Sequence, residues 1–299
     1  MLINGKKLDT VRVNSLVKDI TKKKELAGVQ SDFVKKQLLE FLKRDEKASR
    51  YVLSDKFSVK AKEYKRIVKG VRARLRRYHS LFAVGDVETE RLELFSELLK
   101  EKDHAKAMKI IVKLLETHSS TKERLPFYSQ FYKKLFKITG EVNSVLDLGS
   151  GLNPLSMIYA DLIMKNKFHY YAYEINKKEV EFLNKYFTLM KKCHSSFIGK
   201  AENLDLTKVR ALSKLPQADV CFLFKMTDVL EQGRGHKVTE QILQAVKAKF
   251  VVVSFPTLTM SGKRMNYPRR RWMELMCERL GWSYSLIEMP NELFYVVMK

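Results

Sequence analysis

The chain has 299 residues, 45% of them hydrophobic, enough to fill one large or two ordinary cores, which excludes a disordered polypeptide. Its 57 lysines and arginines against 34 acids leave a formal charge of +23, a field that concentrates polyanions, nucleic acid first among them. Three scattered cysteines, Cys193, Cys221 and Cys277, exclude a disulfide framework and CxxC metal spacing, so no metal is expected and a reducing cytoplasm fits; no apolar run reaches the roughly 18 residues that span a bilayer.

Helical patterns fill the chain to about residue 117, with apolar residues recurring at three and four and no convincing alternation. This half carries 29 basic and 17 acidic residues. Its most lopsided stretch is Lys56 to Arg77, with ten basic residues and one acid, Glu63. Tyr64, Ile67, Val71, Leu75 and Tyr78 keep an apolar stripe along it, so one side packs while the other, bearing Arg72, Arg74, Arg76 and Arg77, is strongly positive. A solvated face and a membrane-surface helix are the alternatives to RNA binding, and the ratio of ten to one in sign favours RNA. Next comes "HSSTKERLPFY", His118 to Tyr128, where Ser120 to Glu123 reads as a capping box that starts a helix.

From Val142 the pattern changes to short β-rich runs separated by helices: 144–149, 169–175, 195–199, 218–224 and 249–255. That alternation calls for a parallel sheet with crossover helices. Two last runs, 283–289 and 293–299, are joined only by Pro290, Asn291 and Glu292, a link so short that they must be antiparallel. The layout is an α/β, Rossmann-like doubly wound sheet of the class I methyltransferase variety ending in an antiparallel hairpin, preceded by an all-helical domain. The expected domains are 1–117 and 118–299. Cys221 lies inside a strand and reads as core rather than nucleophile. Trp272 and Met273 also read as core, behind a basic cluster of Lys263, Arg264 and Arg269 to Arg271.

The stretch "VLDLGSGLNPLSMIY", Val145 to Tyr159, ends the first strand of this sheet. Gly149 and Gly151 have no β-carbon, so the backbone turns sharply and approaches a ligand closely. Asn153 is placed to cap, and Pro154 to take the first helical position, giving a helix N-terminus suited to a carboxylate as well as a phosphate. The missing third glycine disfavours a dinucleotide. Glu174, ending the second strand one βα unit later, is placed to accept both hydroxyls of a ribose. A nucleoside with a carboxylate instead of a diphosphate is S-adenosylmethionine. A purely structural turn and a solvated strand end are the alternative.

The words "HSSTKERL" (118–125), "VLDLGSGLNPL" (145–155), "FLFKMTDVLEQ" (222–232), "VSFPT" (253–257), "SGKRM" (261–265) and "NELFYVV" (291–297) resemble the Arm-type aminoglycoside-resistance 16S rRNA methyltransferases. That family methylates a guanine at N7 in the decoding site of the small ribosomal subunit. The resemblance implies S-adenosylmethionine as cofactor, 16S rRNA in the 30S subunit as partner, no membrane, a cytoplasmic monomer, and an amino-terminal extension that docks RNA. It implies that Arg124 meets the cofactor carboxylate, that Gly149, Ser150 and Gly151 form the turn, and that Glu174, with Ile175 beside it, takes the ribose. Glu202 or Asn203 would lie near the adenine amino group. Lys225 would serve both cofactor and mouth, and Ser254, Phe255 and Pro256, near Thr257, would complete the mouth where the base enters. Lys263, Arg264, Arg269 and Arg270 would hold RNA beside it.

Guanine N7 has a free lone pair and no proton to lose, so no general base is required. The fourth strand is not followed by the Asn/Asp-Pro-Pro-Tyr-like tetrad expected for exocyclic amino groups, and no cysteine has the Pro-Cys setting of a covalent attack on a pyrimidine. In the loop 259–272 the methionine is not followed by the family's usual Glu-x-x-Tyr, and "AENL" replaces its usual Gln-Asp pair. Methylation of another decoding-site atom, adenine N1, and a non-catalytic ribosome-binding or assembly protein therefore stand as alternatives.

Overall fold

The computed structural model describes residues 2–3, 6–23, 26, 31–77, 85–160, 167–231, 235–259 and 262–299. Tyr78, and the side chains of Arg76 and Arg77, lie outside the described residues. The chain divides into two compact units, Met1–Glu93 and Leu94–Lys299.

The first unit is helical, with one exception to the all-helical expectation: β1 (Leu2–Ile3) pairs antiparallel with β2 (Lys6–Lys7). Two-residue strands are too short for alternation to show in the sequence. After them come α1 (Thr10–Thr21), α2 (Ser31–Arg44), α3 (Glu46–Leu53) and α4 (Lys62–Arg77), and α5 (Gly85–Lys100) carries the chain into the second unit. Asp9 caps α1 by accepting from Val11 N at 2.8 Å, and Asp45 caps α3 through Ala48 N at 2.9 Å, each satisfying one orphan donor of a first turn. Tyr64, Ile67, Val71 and Leu75 of α4 are buried, as are Leu16 and Ile20 of α1 and Leu38 and Leu42 of α2. Fully burying one such aliphatic side chain contributes about 1.5–3 kcal/mol, so this stripe holds the helices together.

In the second unit, α6 (His104–Glu116), α7 (Ser119–Arg124) and α8 (Tyr128–Thr139) precede a seven-stranded sheet. Its strands are β3 (Ser144–Leu148), β4 (Phe168–Glu174), β5 (Phe197–Asn203), β6 (Ala218–Phe224), β7 (Ala248–Pro256), β8 (Ser283–Met289) and β9 (Glu292–Met298). Between them run α9 (Lys177–Cys193), α10 (Val209–Leu212), α11 (Thr227–Glu231), α12 (Lys237–Ala245) and α13 (Arg271–Leu280). The spatial order is β5-β4-β3-β6-β7-β9-β8, parallel except for β9, which is antiparallel to both β7 and β8. This is the Rossmann-like methyltransferase sheet with its terminal hairpin. The third predicted strand, 195–199, is observed to run four residues further on, because Gly199, Lys200 and Glu202 interrupt its apolar pattern without interrupting its pairing to β4.

β6 and β7 are nearly continuous apolar runs because they are covered on both faces. On one face Phe222, Val252 and Phe294 join Leu114 of α6, Phe131 of α8 and Leu183 of α9, with the Phe131 and Phe294 rings 4.4 Å apart. Alternate residues turn to the other face, where Phe255 meets Trp272 and Tyr295 bonds Glu274 of α13. Cys221 and Met273 are fully buried and Trp272 is half-buried. Strand order reverses at β3, whose neighbours are β4 and β6, so the ligand crevice of such a sheet opens beyond the carboxyl end of β3.

Candidate cofactor and base-entry site

Beyond β3, Gly149 and Gly151 take left-handed backbone angles, φ 72° and 47°. A β-carbon on Gly149 would stand 2.7 Å from Met226 Sδ, and one on Gly151 2.8 Å from His118 Nε2, so both positions admit only glycine without displacement. Gly149 N and Ser150 N donate to Tyr173 O at 2.8 and 3.2 Å, which draws the loop across the end of β4. The loop leads into a 3-10 helix, Asn153–Tyr159, and Asn153 does not cap it. Its amide instead enters a buried network: Asn153 Nδ2 donates to Asp147 at 2.9 Å, Tyr170 OH to the same oxygen at 2.6 Å, and Tyr128 OH to Asn153 Oδ1 at 3.1 Å. Burial pushes the Asp147 carboxyl up to about 6, against the two hydrogen bonds that favour its charge.

Glu174 ends β4 and is 1% exposed. Its carboxylate accepts from Ile175 N at 2.7 Å, Gly151 N at 3.1 Å and Asn176 N at 3.2 Å. Burial raises its pKa, the three backbone donors opposing the rise. The side chain is therefore aimed into the glycine loop. Asn203 Nδ2 donates to Glu174 O at 3.0 Å and Ile175 O at 2.7 Å, tying the ends of β4 and β5, while Glu202 pairs with Lys200 at 2.5 Å.

The predicted capping box at Ser120 to Glu123 does not form. His118 is the N-cap of α7 without a side-chain cap bond, and Thr121 Oγ1 donates to the carbonyls of His118 and Leu115, because α7 begins a single residue after α6 has ended its C-cap at Thr117. This packing delivers Arg124 into the core, 3% exposed, with its guanidinium 4.8 Å from the Phe224 ring centre. Arg124 Nε and Nη2 donate to the fully buried Glu292 carboxylate at 2.8–3.1 Å. Ser254 Oγ donates to the same carboxylate at 2.5 Å, and Lys225 Nζ lies 3.4 Å from it and 2.5 Å from Glu123. Lys225 has φ 55°, held there by its N–H donating to Ser254 Oγ and O at 3.0 and 3.2 Å.

Burial works against the charge of both Glu292 and Arg124. Each partner overcomes it for the other, so Glu292 lies below and Arg124 above its ordinary pKa, with Lys225 assisting Glu292. Arg124, Lys225 and Ser254 are thus brought together around Glu292, so the guanidinium expected to meet the cofactor carboxylate is paired here with a carboxylate of the chain itself, and Glu292 and Glu123 are the members that sequence reasoning missed. The signal for Glu292 was present: it is a lone acid opening an otherwise wholly apolar strand, "ELFYVVM".

Several expected residues have other work. Phe255 does not line the mouth with Ser254; successive residues of β7 face opposite ways, and Phe255 packs edge-on against Trp272 and Tyr295. Arg270 is not free for RNA, since its guanidinium donates to the carbonyls of Pro256, Tyr267 and Pro268 and lies over Phe255. Arg72 is likewise engaged, donating to the carbonyls of Asp19 and Ile20 in the last turn of α1, and Arg74 donates to Gln37. Pro256, Lys263, Arg264 and Arg269 remain at the carboxyl edge, Arg269 paired with Glu274 at 2.8 Å. Beside them a cavity of about 230 Å³ is lined by Thr257, Arg264, Met265, Pro268, Arg269, Glu288 and Glu292 among others. In α4 the exposed positive stripe is Lys62, Lys65 and Lys69.

The 16S rRNA (guanine(1405)-N(7))-methyltransferase of Frankia casuarinae is 30% identical over 191 residues, 63% of this chain and 64% of that protein. The chain thus spans just under two thirds of the length of that relative. The enzyme of the same name from Proteus mirabilis is 26% identical over 254 residues, 79% of this chain and 85% of that one. The crystal structure of the 16S rRNA methyltransferase RmtF in complex with S-adenosyl-L-homocysteine has the same fold, with a TM-score of 0.70 at 21% identity over 98% of this chain and 100% of that one. Residues 63–296 match the family described as ribosomal RNA methyltransferase (FmrO), a match that runs from the first turn of α4 to Val296 in β9, the last strand of the sheet. With a glycine loop, a strand-end acid and a buried arginine converging at the end of that sheet, the chain belongs to the FmrO family of ribosomal RNA methyltransferases.

Proposed function

We propose that the chain is an S-adenosylmethionine-dependent methyltransferase acting on 16S rRNA, at guanine N7 in the decoding site of the small ribosomal subunit. The observation that carries the reading is the joining of Arg124, Lys225 and Ser254 around Glu292 at the carboxyl edge, beside the Gly149–Gly151 turn. Two features fit the cofactor, a turn with no room for β-carbons and an acid for the ribose, and the Arg124–Glu292 pair stands where the amino-acid carboxylate would be met. When bound, the cofactor supplies an electrophilic methyl group on a sulfonium.

The task left to the chain is positioning. Glu123, Arg124, Lys225 and Glu292 sum to zero formal charge, so the mouth does not repel a cationic sulfonium. No group has to remove a proton, because guanine N7 offers its lone pair directly. The helical unit Met1–Glu93 serves as the docking domain, through the Lys62, Lys65 and Lys69 stripe, while α6, N-terminal to residue 118 as well, packs on the sheet, and the protein works as a cytoplasmic monomer on the assembled 30S subunit. The deciding experiment incubates small subunits with labelled S-adenosylmethionine and maps the methyl group; a methyl at adenine N1 or no transfer overturns the assignment.

Glu174→Ala weakens cofactor binding by about 1–3 kcal/mol, the scale of leaving polar groups unpaired, in titration calorimetry. Glu174→Asp retains most of the affinity, since the shorter acid still presents a carboxylate. Unchanged affinity in Glu174→Ala refutes the ribose role. Reversing Lys62, Lys65 and Lys69 to glutamate lowers the slope of log affinity for subunits against log salt by about 2, at about 0.7 per phosphate contact, with cofactor affinity untouched. An unaltered slope removes α4 from the RNA surface.

A further inference from the structure

Tyr267 is 87% exposed, the most exposed of the large apolar side chains among the described residues. It is displayed by the segment Thr257–Arg270, between β7 and α13, at the carboxyl edge of the sheet. The described residues of that segment are braced on both sides of 260–261. Thr257 N donates to Asn291 O at 3.0 Å, Met265 N to Thr257 O at 2.8 Å, and Thr259 N to Lys263 O at 2.7 Å, while Leu258 and Arg264 form a β-bridge. Arg270 then reaches back, with Nη1 donating to the Tyr267 carbonyl at 3.2 Å and the Pro268 carbonyl at 2.7 Å. Pro268 further restricts the backbone of Tyr267.

Folding gains almost nothing from a ring left in water, yet the backbone that carries it is fixed. Its surroundings are cationic: Lys263, Arg264, Arg269 and Arg271 are exposed, and among the described residues only Arg269 of these four has a carboxylate partner, Glu274. Its neighbours in sequence, Met265 and Pro268, line the cavity that also reaches Glu292, so the segment that carries the ring borders the mouth. A fixed, solvent-facing aromatic beside exposed cations, three of the four without a carboxylate partner among the described residues, is what an unpaired nucleotide requires, a π face for the base and positive charge for its phosphate.

We propose that Tyr267 is a stacking platform for an unpaired ribosomal RNA base adjoining the target nucleotide, whose phosphate rests on Lys263 and Arg264. This rests on the rRNA methyltransferase reading. A protein partner would want only the apolar area of the ring, whereas a base wants its planar face, and side chains of matched size separate the two.

The test measures equilibrium binding of the full-length protein to small ribosomal subunits, with methyl transfer and cofactor affinity followed in parallel. Tyr267→Ala and Tyr267→Leu are expected to lose about 5- to 150-fold in subunit affinity, the range of one aromatic–base stack, while Tyr267→Trp stays within about threefold of wild type. Cofactor affinity is unchanged in all three. Wild-type affinity in Tyr267→Ala overturns the proposal, and so does wild-type affinity in Tyr267→Leu, which would make the contact an apolar protein one. A wild-type protein that binds subunits without transferring a methyl group refutes the enzymatic reading and leaves the Tyr267 comparison to be decided by affinity. One that binds no subunits refutes both.

Discussion

Glu292→Gln lowers folding stability by about 3–5 kcal/mol in denaturant titration, because it removes one partner of a buried ion pair and leaves the other charged. Arg124 is 3% exposed and has no water to fall back on, and Glu292 is fully buried between Arg124, Lys225 and Ser254. The glutamine fills the same volume, so the loss is electrostatic and not a cavity. Cofactor affinity falls with it, since the guanidinium loses the two-pronged bond that orients it. The double variant Arg124→Met/Glu292→Leu recovers much of the stability, because apolar groups of similar size often replace buried ion pairs at little cost, but it does not recover cofactor binding. A Glu292→Gln protein as stable as wild type would show that the pair is not what holds β9 to α7. The sign with pH is fixed by the depressed Glu292 pKa. Its contribution is present above the ordinary glutamate value of 4.5 and is lost as pH falls through the lower, folded value.

Asp147→Asn shifts the stability curve in the opposite sense. The Asp147 carboxyl has an ordinary value of 3.8 and is pushed to about 6 in the fold by burial, so the folded state holds its proton more tightly than the unfolded chain. Its contribution is full below about pH 4 and disappears as pH rises through about 6, which amounts to about 3 kcal/mol at 1.36 kcal/mol per unit. Asparagine lacks this dependence. Both donors, Asn153 Nδ2 and Tyr170 OH, bond the same carboxylate oxygen, which an amide oxygen can replace. The variant is therefore expected to gain on wild type between about pH 4 and 6.5, in denaturant midpoints taken across that window. Parallel curves for the two proteins would show that Asp147 remains ionised throughout and that the buried network carries a full charge.

Much of the crevice was legible because its local chemistry allows few alternatives. Two glycines after an apolar strand, followed by an acid one βα unit later, imply a turn without β-carbons, and Gly149 and Gly151 do adopt positive φ with side chains pressed against them. The 3-10 helix was not legible. Asn153 has the composition of a cap, but a buried carboxylate and two buried tyrosines compete for its amide and win. Phe255 and Arg270 were misplaced for a related reason: a motif says which residues are near the mouth, not which way each one turns. Alternation along β7 sends Phe255 to the far face, and three carbonyls recruit Arg270.

By itself the sequence determined the sheet, its terminal hairpin, the glycine turn and the cationic character of the chain, because periodicity, loop length and charge are properties of neighbouring residues. Only the tertiary structure decided the partners of those charges. Glu292 meets Arg124 across 168 positions, and Arg72 meets the end of α1 across more than 50, and no local pattern encodes contacts made by folding distant segments together. Which cations were consumed by the fold, and which, like Lys62, Lys65 and Lys69, were left to water, came from that packing alone.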